Sequence, residues 1–345
     1  PLRQATERAG IRLLDNVLVT RLLTNAGAVV GAVAVDVATS DVLVISAKST
    51  VLATGGGAAA YERHNCAPGT TGDGYALAFR AGAELVDFEC ISFAFPPQRL
   101  KEIFALKDAP HEPFLSLGLC HYFLGGVRID EQCRSTVPGL FAAGEVAGGV
   151  FGAARLGGSA LADIYIFGAR AGRFAAERAK SIPPPSRNDS EVRQELARVE
   201  RVRDAGTSAT DFCRRVKSTL WRYAGAMKTH ASLQRGRDLL AEAQADLAHI
   251  RAHGPDGLRD ALEAQHVLDV GRLIIASSLV RQETRGCFWR IDYPQPDNAR
   301  WLRNVFLSGS MDNIQTRTEP VLMTRLRTPT APPIGQGCFG YLPRK

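Results

Sequence analysis

The first fifty residues are short apolar runs broken by turn residues. Residues 2–9 read as a helix ending at Gly10, and residues 11–14, 17–23, 28–37 and 42–46 follow as β-rich runs. Asp15-Asn16, Asn25-Ala26-Gly27 and Ser40-Asp41 separate them, so the pattern predicts a small antiparallel meander. Residues 50–54, TVLAT, make a buried strand that runs into Gly55-Gly56-Gly57. Thr71-Gly72-Asp73-Gly74 opens a helix over 75–83, with Thr71 or Asp73 placed to cap it. A strand from Val127, a turn at 130–135 and a strand at 139–143 then lead through a glycine-rich loop into a long helix, 159–179. The prolines at 183–185 cannot continue that helix, and residues 181–189 read as a linker. Beyond it, residues 191–202, 209–227, 232–252 and 258–282 place apolar side chains at helical spacing, for example Leu240, Ala243, Leu247 and Ile250. They predict a bundle of roughly three or four helices, closed by a strand pair over 305–326. Two units result, an α/β part over 1–180 and a helical part over 190–345.

The chain is organised around residues 121–172. There an apolar strand ends on Gly144-Glu145, and a glycine-rich loop passes Arg155 and enters an apolar helix near Gly158. Glycines let main chain approach something flat or anionic without interference from Cβ. Ser159 can cap the helix, whose first-turn N–H groups have no intrahelical partners and favour negative charge. On composition alone, an ordinary β-loop-α unit with a glycine-rich turn explains the stretch equally well.

Composition narrows the class. With 345 residues, 45% hydrophobic and 22% charged, the chain has room for about two domains and an ordinary core. Its apolar runs fall short of the ~18 residues that cross a bilayer, so no membrane insertion is expected. The seven cysteines contain no CxxC pair, which signals neither an iron–sulfur cluster nor a disulfide framework. A net charge of +7 in mixed order argues for a solvated surface and against nucleic acid. His249 and His253 have helical ligand spacing but no third ligand beside them, so no metal site is expected.

HYFLGG (from His121), STVPGLFAAGE (from Ser135), GAARLGGSALAD (from Gly152) and FGARAG (from Phe167) together resemble the flavoprotein subunit family of fumarate reductase, succinate dehydrogenase and L-aspartate oxidase. ETRG at Glu283 and RIDYP at Arg290 are similar to a later block of the same family. The resemblance implies an α/β fold, part of a two-dinucleotide-binding FAD domain with the meander as its inserted ribbon, followed by a helical bundle. It implies FAD as cofactor, a dicarboxylate as substrate and, as partner, an iron–sulfur electron-transfer subunit. It also implies a cytoplasmic protein, peripheral on the inner face of the membrane through such partners. The family departs from this sequence at four points. Ala94 and Phe288 stand where the family has histidines, the capping insertion is reduced to about 97–120, and the GxGxxG unit that holds the pyrophosphate is missing. With Pro1 in first place, the chain is expected to begin after the first half of the FAD domain.

Candidate chemistry follows from both sources. An arginine fork and an imidazole suit a carboxylate, which makes His121 and Arg155 a catalytic pair, although either alone is more commonly a structural or surface residue. In the resemblance these two hold the dicarboxylate against the flavin. Thr54 and Gly55 match the ATGG signature beside the adenosine, and Asp73 matches an aspartate beside the FAD, where a plain helix cap is the ordinary alternative. Gly144 and Glu145 match the ribityl contact; otherwise Glu145 is an exposed loop carboxylate. Ser159 opens the helix whose Ala160 and Leu161 N–H groups match the donors to the flavin N1–C2=O edge. The family chemistry is hydride transfer of the fumarate reductase/succinate dehydrogenase type. L-aspartate oxidase is the near alternative, and a non-catalytic, partner-binding relic is the reading that the missing cap favours.

Overall fold

The computed structural model describes residues 2–94, 118–186, 188–203, 206–253 and 257–323. After α1 (Leu2–Arg8), strands β1 (Val17–Asn25), β2 (Ala28–Asp36) and β3 (Val42–Ser46) pair antiparallel in that order, as the alternation predicts. Ala26 and Gly27 both take positive φ (+48° and +76°), the conformation that lets a two-residue turn follow strand twist. Residues 11–14 form no strand, because their apolar side chains are exposed and pair with no neighbouring strand. β4 (Thr50–Leu52) is shorter than expected and Val51 is 38% exposed, so only part of TVLAT is buried.

α2 (Asp73–Arg80) buries Tyr75, Leu77 and Phe79. Its N-cap is Gly72, at φ +90° and with no side-chain cap, rather than Thr71 or Asp73. Asp73 is occupied elsewhere, accepting from Thr71 Oγ1 at 2.5 Å. Strands β5 (Leu85–Val86), β6 (Ile91–Ala94), β7 (Leu119–Phe123), β8 (Gly126–Arg128), β9 (Leu140–Ala142) and β10 (Ala147–Gly148) follow. β4 runs parallel to β9, and β6 pairs antiparallel with β7. Most of the reduced capping stretch, 97–120, lies outside the described residues.

α3 (Ser159–Ser181) leads to the proline linker, and α4 (Asp189–Arg201), α5 (Ala209–Tyr223), α6 (His230–Asp246) and α7 (Gly257–Val280) make the helical part. Asn188 and Ser208 cap α4 and α5, and Thr229 with Ser232 forms a reciprocal capping box on α6. α7 is buried on every side, from Leu262 through Val267, Val270 and Ile274, which explains its near-continuous apolar sequence.

The terminal hairpin, Arg303–Ser310 with Asn313–Pro320, belongs by pairing to the first half. Phe306 stands opposite Val86 and Leu307 opposite Leu85, which completes a five-stranded sheet with β5, β8 and β10. A single cluster of buried side chains runs from Leu22 and Phe88 through Leu220 and Leu273 to Leu307. An ion network reinforces that join. Arg281 bonds Glu89 (2.7 Å), Glu283 (3.0 Å) and Asp87 (3.3 Å), while Asn304 and Val305 donate to Asp87 at 2.5 and 2.8 Å. The helical part and the α/β part therefore share one core.

Candidate active site

β7 carries His121 and Tyr122 to the edge where the glycine loop returns with Arg155. Arg155 Nη2 lies 3.4 Å from His121 Nε2, and the guanidinium carbon sits 4.1 Å above the Tyr122 ring. A guanidinium N–H can only donate, so Nε2 accepts and the imidazole proton sits on Nδ1. That proton points at Asn65 Oδ1, 3.0 Å away. Burial, with the charge of Arg155, holds the His121 pKa below its ordinary value and keeps the ring neutral. Two polar atoms here are buried without partners among the described residues: Arg155 Nε and the Tyr122 hydroxyl. Polar groups in a protein interior are rarely left so, and both belong to the stacked Arg155–Tyr122 pair beside His121.

Glycines hold this edge together. A Cβ on Gly125 would lie 2.0 Å from the Asp87 carbonyl oxygen, and one on Gly126 2.4 Å from that of Val146, so the GG of HYFLGG is a close backbone crossing. A Cβ on Gly56 would meet Glu145 Oε1 at 1.9 Å. Glu145 is thus wedged between the ATGGG turn and β7, where Oε1 accepts from Phe123 N at 2.8 Å, and is no exposed loop carboxylate. Burial pushes its carboxyl up to about 7, against the opposing pull of the Phe123 N–H and Arg155. Thr54 lies on the far side of the same turn, packed over Gly74, with Gly55 at φ +72° next to it.

The N-terminus of α3 corrects two expectations. The N-cap is Gly158 at φ +85°, and Ser159 is instead the first helical residue, its hydroxyl donating backwards to Leu156 O at 2.7 Å. The Leu161 N–H donates to Gly158 O at 3.1 Å, because the first turn is tight, so of the two expected donors only Ala160 keeps an unused N–H among the described residues. Gly144, at φ +76°, packs under Ile164. A Cβ on Gly152, Gly157 or Gly158 would meet nothing within 4 Å, so the loop faces open space. Asp163, one turn into the helix, is 4% exposed with neither carboxylate oxygen bonded among the described residues. Leu161, Ile164, Tyr165 and Ile166 are exposed along the same helix.

Asp73 is brought to a histidine that carries no mark in the sequence. His266 Nδ1, on α7, lies 2.9 Å from Asp73 Oδ1. Burial alone would raise this carboxyl, but the bonds from His266 and Thr71 outweigh it and hold it below the ordinary range. Phe288 is fully buried with Lys228 Nζ 4.6 Å from its ring centroid, so the histidine substitution there makes a cation–π contact in the core. Among the described residues no group of His, Cys, Asp or Glu is arranged to hold a metal ion. Asn65, Tyr122, Asp163 and His266 are the residues that sequence reasoning missed. Tyr122 and Asp163 carried a signal, as members of the HYFLGG and GAARLGGSALAD blocks, and Asn65 and His266 carried none.

Comparison with known proteins agrees with this arrangement. The family described as FAD binding domain matches residues 1–104 and 99–161, and the family described as fumarate reductase flavoprotein C-term matches residues 213–334. One subunit of the CoM/CoB fumarate reductase of Methanothermobacter marburgensis is 28% identical over 402 residues, covering 90% of this chain and 73% of that relative. L-aspartate oxidase of Streptomyces coelicolor is 27% identical over 438 residues, covering 97% and 72%. A chain of E. coli quinol fumarate reductase superposes with a TM-score of 0.82 at 21% identity, covering 95% of this chain and 75% of that one. With an FAD-binding half and a helical half matched in order, the chain belongs to the flavoprotein family of fumarate reductase, succinate dehydrogenase and L-aspartate oxidase, whose cofactor is FAD.

Proposed function

We propose that the protein is an FAD-dependent oxidoreductase acting on a dicarboxylate, of the fumarate reductase/succinate dehydrogenase type, in which His121 and Arg155 grip one substrate carboxylate. The observation that carries this reading is the 3.4 Å approach of Arg155 to a neutral His121, with Arg155 Nε and the Tyr122 hydroxyl buried and unpartnered beside it. An anion there gives both orphaned groups a partner, and it replaces one weak contact by two charge-assisted bonds. Stacking on Tyr122 fixes the plane of the guanidinium, which favours a bidentate hold. Asn65 fixes the imidazole and leaves Nε2 as the atom that turns to the ligand.

The residues present fit the flavin half of FAD. The open glycine loop, the unused Ala160 N–H at a helix N-terminus and the unpartnered Asp163 offer a flat group room, a donor and an acceptor partner. Glu145 and Gly144 would hold the ribityl side, and Thr54, Gly55 and Asp73 the side toward the adenosine. When bound, FAD supplies hydride transfer at N5 to or from the carbon–carbon bond next to a carboxylate. This chain's part is to orient that carboxylate and to withdraw electron density from it through Arg155 and through His121, whose imidazole would take up a proton as the carboxylate binds.

Among the described residues no helix is long and apolar enough to cross a membrane. The CoM/CoB fumarate reductase relative is itself one subunit of a larger enzyme. On the strength of that subunit relationship, we propose that this chain passes electrons to an iron–sulfur partner and through it lies peripherally on the cytoplasmic side of a membrane. Full-length, FAD-loaded protein, given a cap from a related enzyme, should reduce fumarate with reduced viologen and release no peroxide with L-aspartate. The reverse result would make it an L-aspartate oxidase. Ala94, in the position of a family histidine, favours a third reading, a non-catalytic partner-binding subunit, and neither activity in the loaded, capped protein would establish it.

A further inference from the structure

A cavity of about 570 Å³, whose lining includes neither His121 nor Arg155, lies between β1, α2, α4, α7 and the turn of the terminal hairpin. It is lined by Arg21, Arg80, Arg198, Arg201, Arg251 and Arg272, against three lining carboxylates, Glu191, Glu195 and Asp312. Three of the arginines are already neutralised: Arg21 lies 3.6 Å from Glu191, Arg198 bonds Glu195 at 2.7 Å, and Arg80 bonds the fully buried Asp269 at 3.0 Å. The other three have no carboxylate partner among the described residues. Arg272 donates to Gln244 and to the Met311 carbonyl. Arg251 donates to the Ala248 and Ile250 carbonyls, and its Nε is buried with no partner. Arg201 makes no side-chain bond among the described residues. Leu22, Leu77, Ile250 and Met311 supply an apolar floor.

Six guanidinium groups line this cavity against three lining carboxylates, and a bound anion is the least costly way to offset the excess positive charge. The cavity has the volume of a small-molecule site, and it combines apolar floor with a few convergent charged groups. We infer that it binds a small organic polyanion, a molecule carrying two or more phosphate or carboxylate groups on a partly apolar body. The site is built from both halves of the chain. It also reaches the proposed cofactor region, because His266 lines it while holding Asp73, and Arg80 ends the helix that Asp73 begins. A ligand here therefore bears on the geometry of the TGDG turn.

The test is titration calorimetry of the full chain with ADP and, separately, with citrate, at low and at high salt. The expected result is saturable binding of at least one of them that weakens with salt, the tighter one showing whether phosphates or carboxylates are read. Arg251→Met and Arg201→Glu should each weaken it by roughly tenfold or more, since a charge-assisted bond is lost. Arg173→Met, on the exposed face of α3, should leave it unchanged. Arg201 is exposed and bonds nothing among the described residues, so its variant folds even where the Arg251 variant does not. No saturable binding of either probe, or binding that Arg201→Glu leaves intact, would overturn the inference.

Discussion

Arg155 Nη2 and His121 Nε2 stand 3.4 Å apart, with the imidazole proton on the opposite nitrogen, toward Asn65. Burial and the arginine both depress the His121 pKa, so the free clamp is singly charged near neutrality. A carboxylate placed between them favours the imidazolium and raises that pKa. Binding of a dicarboxylate at neutral pH should therefore take up a fraction of a proton, and affinity should fall as pH rises past the His121 pKa of the complex. Calorimetry in two buffers of different ionisation enthalpy measures the uptake. Arg155→Lys keeps the charge but loses the fork, and in the FAD-loaded, full-length enzyme it should cost about 2–5 kcal/mol of transition-state binding. Unchanged turnover would make Arg155 a loop charge.

Glu145 is a burial cost that the free protein carries. Its folded pKa, about 7, lies above the ordinary carboxylate value, so its contribution is fully present below the unfolded pKa and is lost as pH rises through 7. Urea midpoints of the chain should accordingly drop between pH 5 and pH 8. Glu145→Gln keeps an acceptor for the Phe123 N–H and removes the titration. It should match the parent at pH 5 and exceed its stability at pH 8 by about 1–3 kcal/mol. Equal midpoints at both pH values would mean that the carboxylate ionises without cost.

The join between the two halves rests on Arg281, whose side chain is 3% exposed and bonds Glu89, Asp87 and Glu283. Arg281→Met leaves three carboxylates short of a partner and should cost about 3–5 kcal/mol by denaturation. Adding Glu89→Gln should recover part of that loss, because the uncompensated charge is the larger share of the penalty. If the double variant is no better than the single one, packing of the arginine stem is the dominant contribution.

Local signals carried most of this fold, and long-range ones did not. The meander, the five long helices and the terminal hairpin follow from alternation, helical spacing and turn residues that act over a few positions. The pairing of Leu307 with Leu85 has no such signal, since no periodicity links residues so far apart, and sequence order alone puts the hairpin with the helical part. At the site, the HYFLGG and RLGG blocks mark His121 and Arg155. Asn65 and His266 lack any such mark, being single polar residues whose meaning comes only from the side chains they meet. Residue type alone makes Ser159 the cap, yet here the residue before the helix has φ +85°, a left-handed conformation that Gly158 adopts without strain, and the serine lies one place into the helix.

Under the proposed function, the short stretch between Pro97 and His121 is expected to limit catalysis. In the family an inserted cap covers the active site and carries an arginine that delivers a proton to the substrate carbon. Excluding water and delivering that proton are requirements separate from holding the carboxylate. In the proposed function the described residues would supply only the holding, through His121, Arg155 and the stacking ring of Tyr122. The alignments with the relatives run to 402 and 438 residues, longer than this 345-residue chain, so those relatives contain residues with no counterpart here. The FAD-binding match also breaks and restarts between 99 and 104, within the same stretch. Between Pro97 and His121 the one arginine is Arg99, with Lys101 and Lys107 nearby. Full-length, FAD-loaded protein should therefore bind succinate through the clamp yet reduce fumarate little or not at all in a viologen assay. Inserting a cap from a related enzyme between Pro97 and His121 should restore turnover. Robust fumarate reduction by the uncapped protein, abolished by Arg99→Ala, would mean that the short segment itself donates the proton.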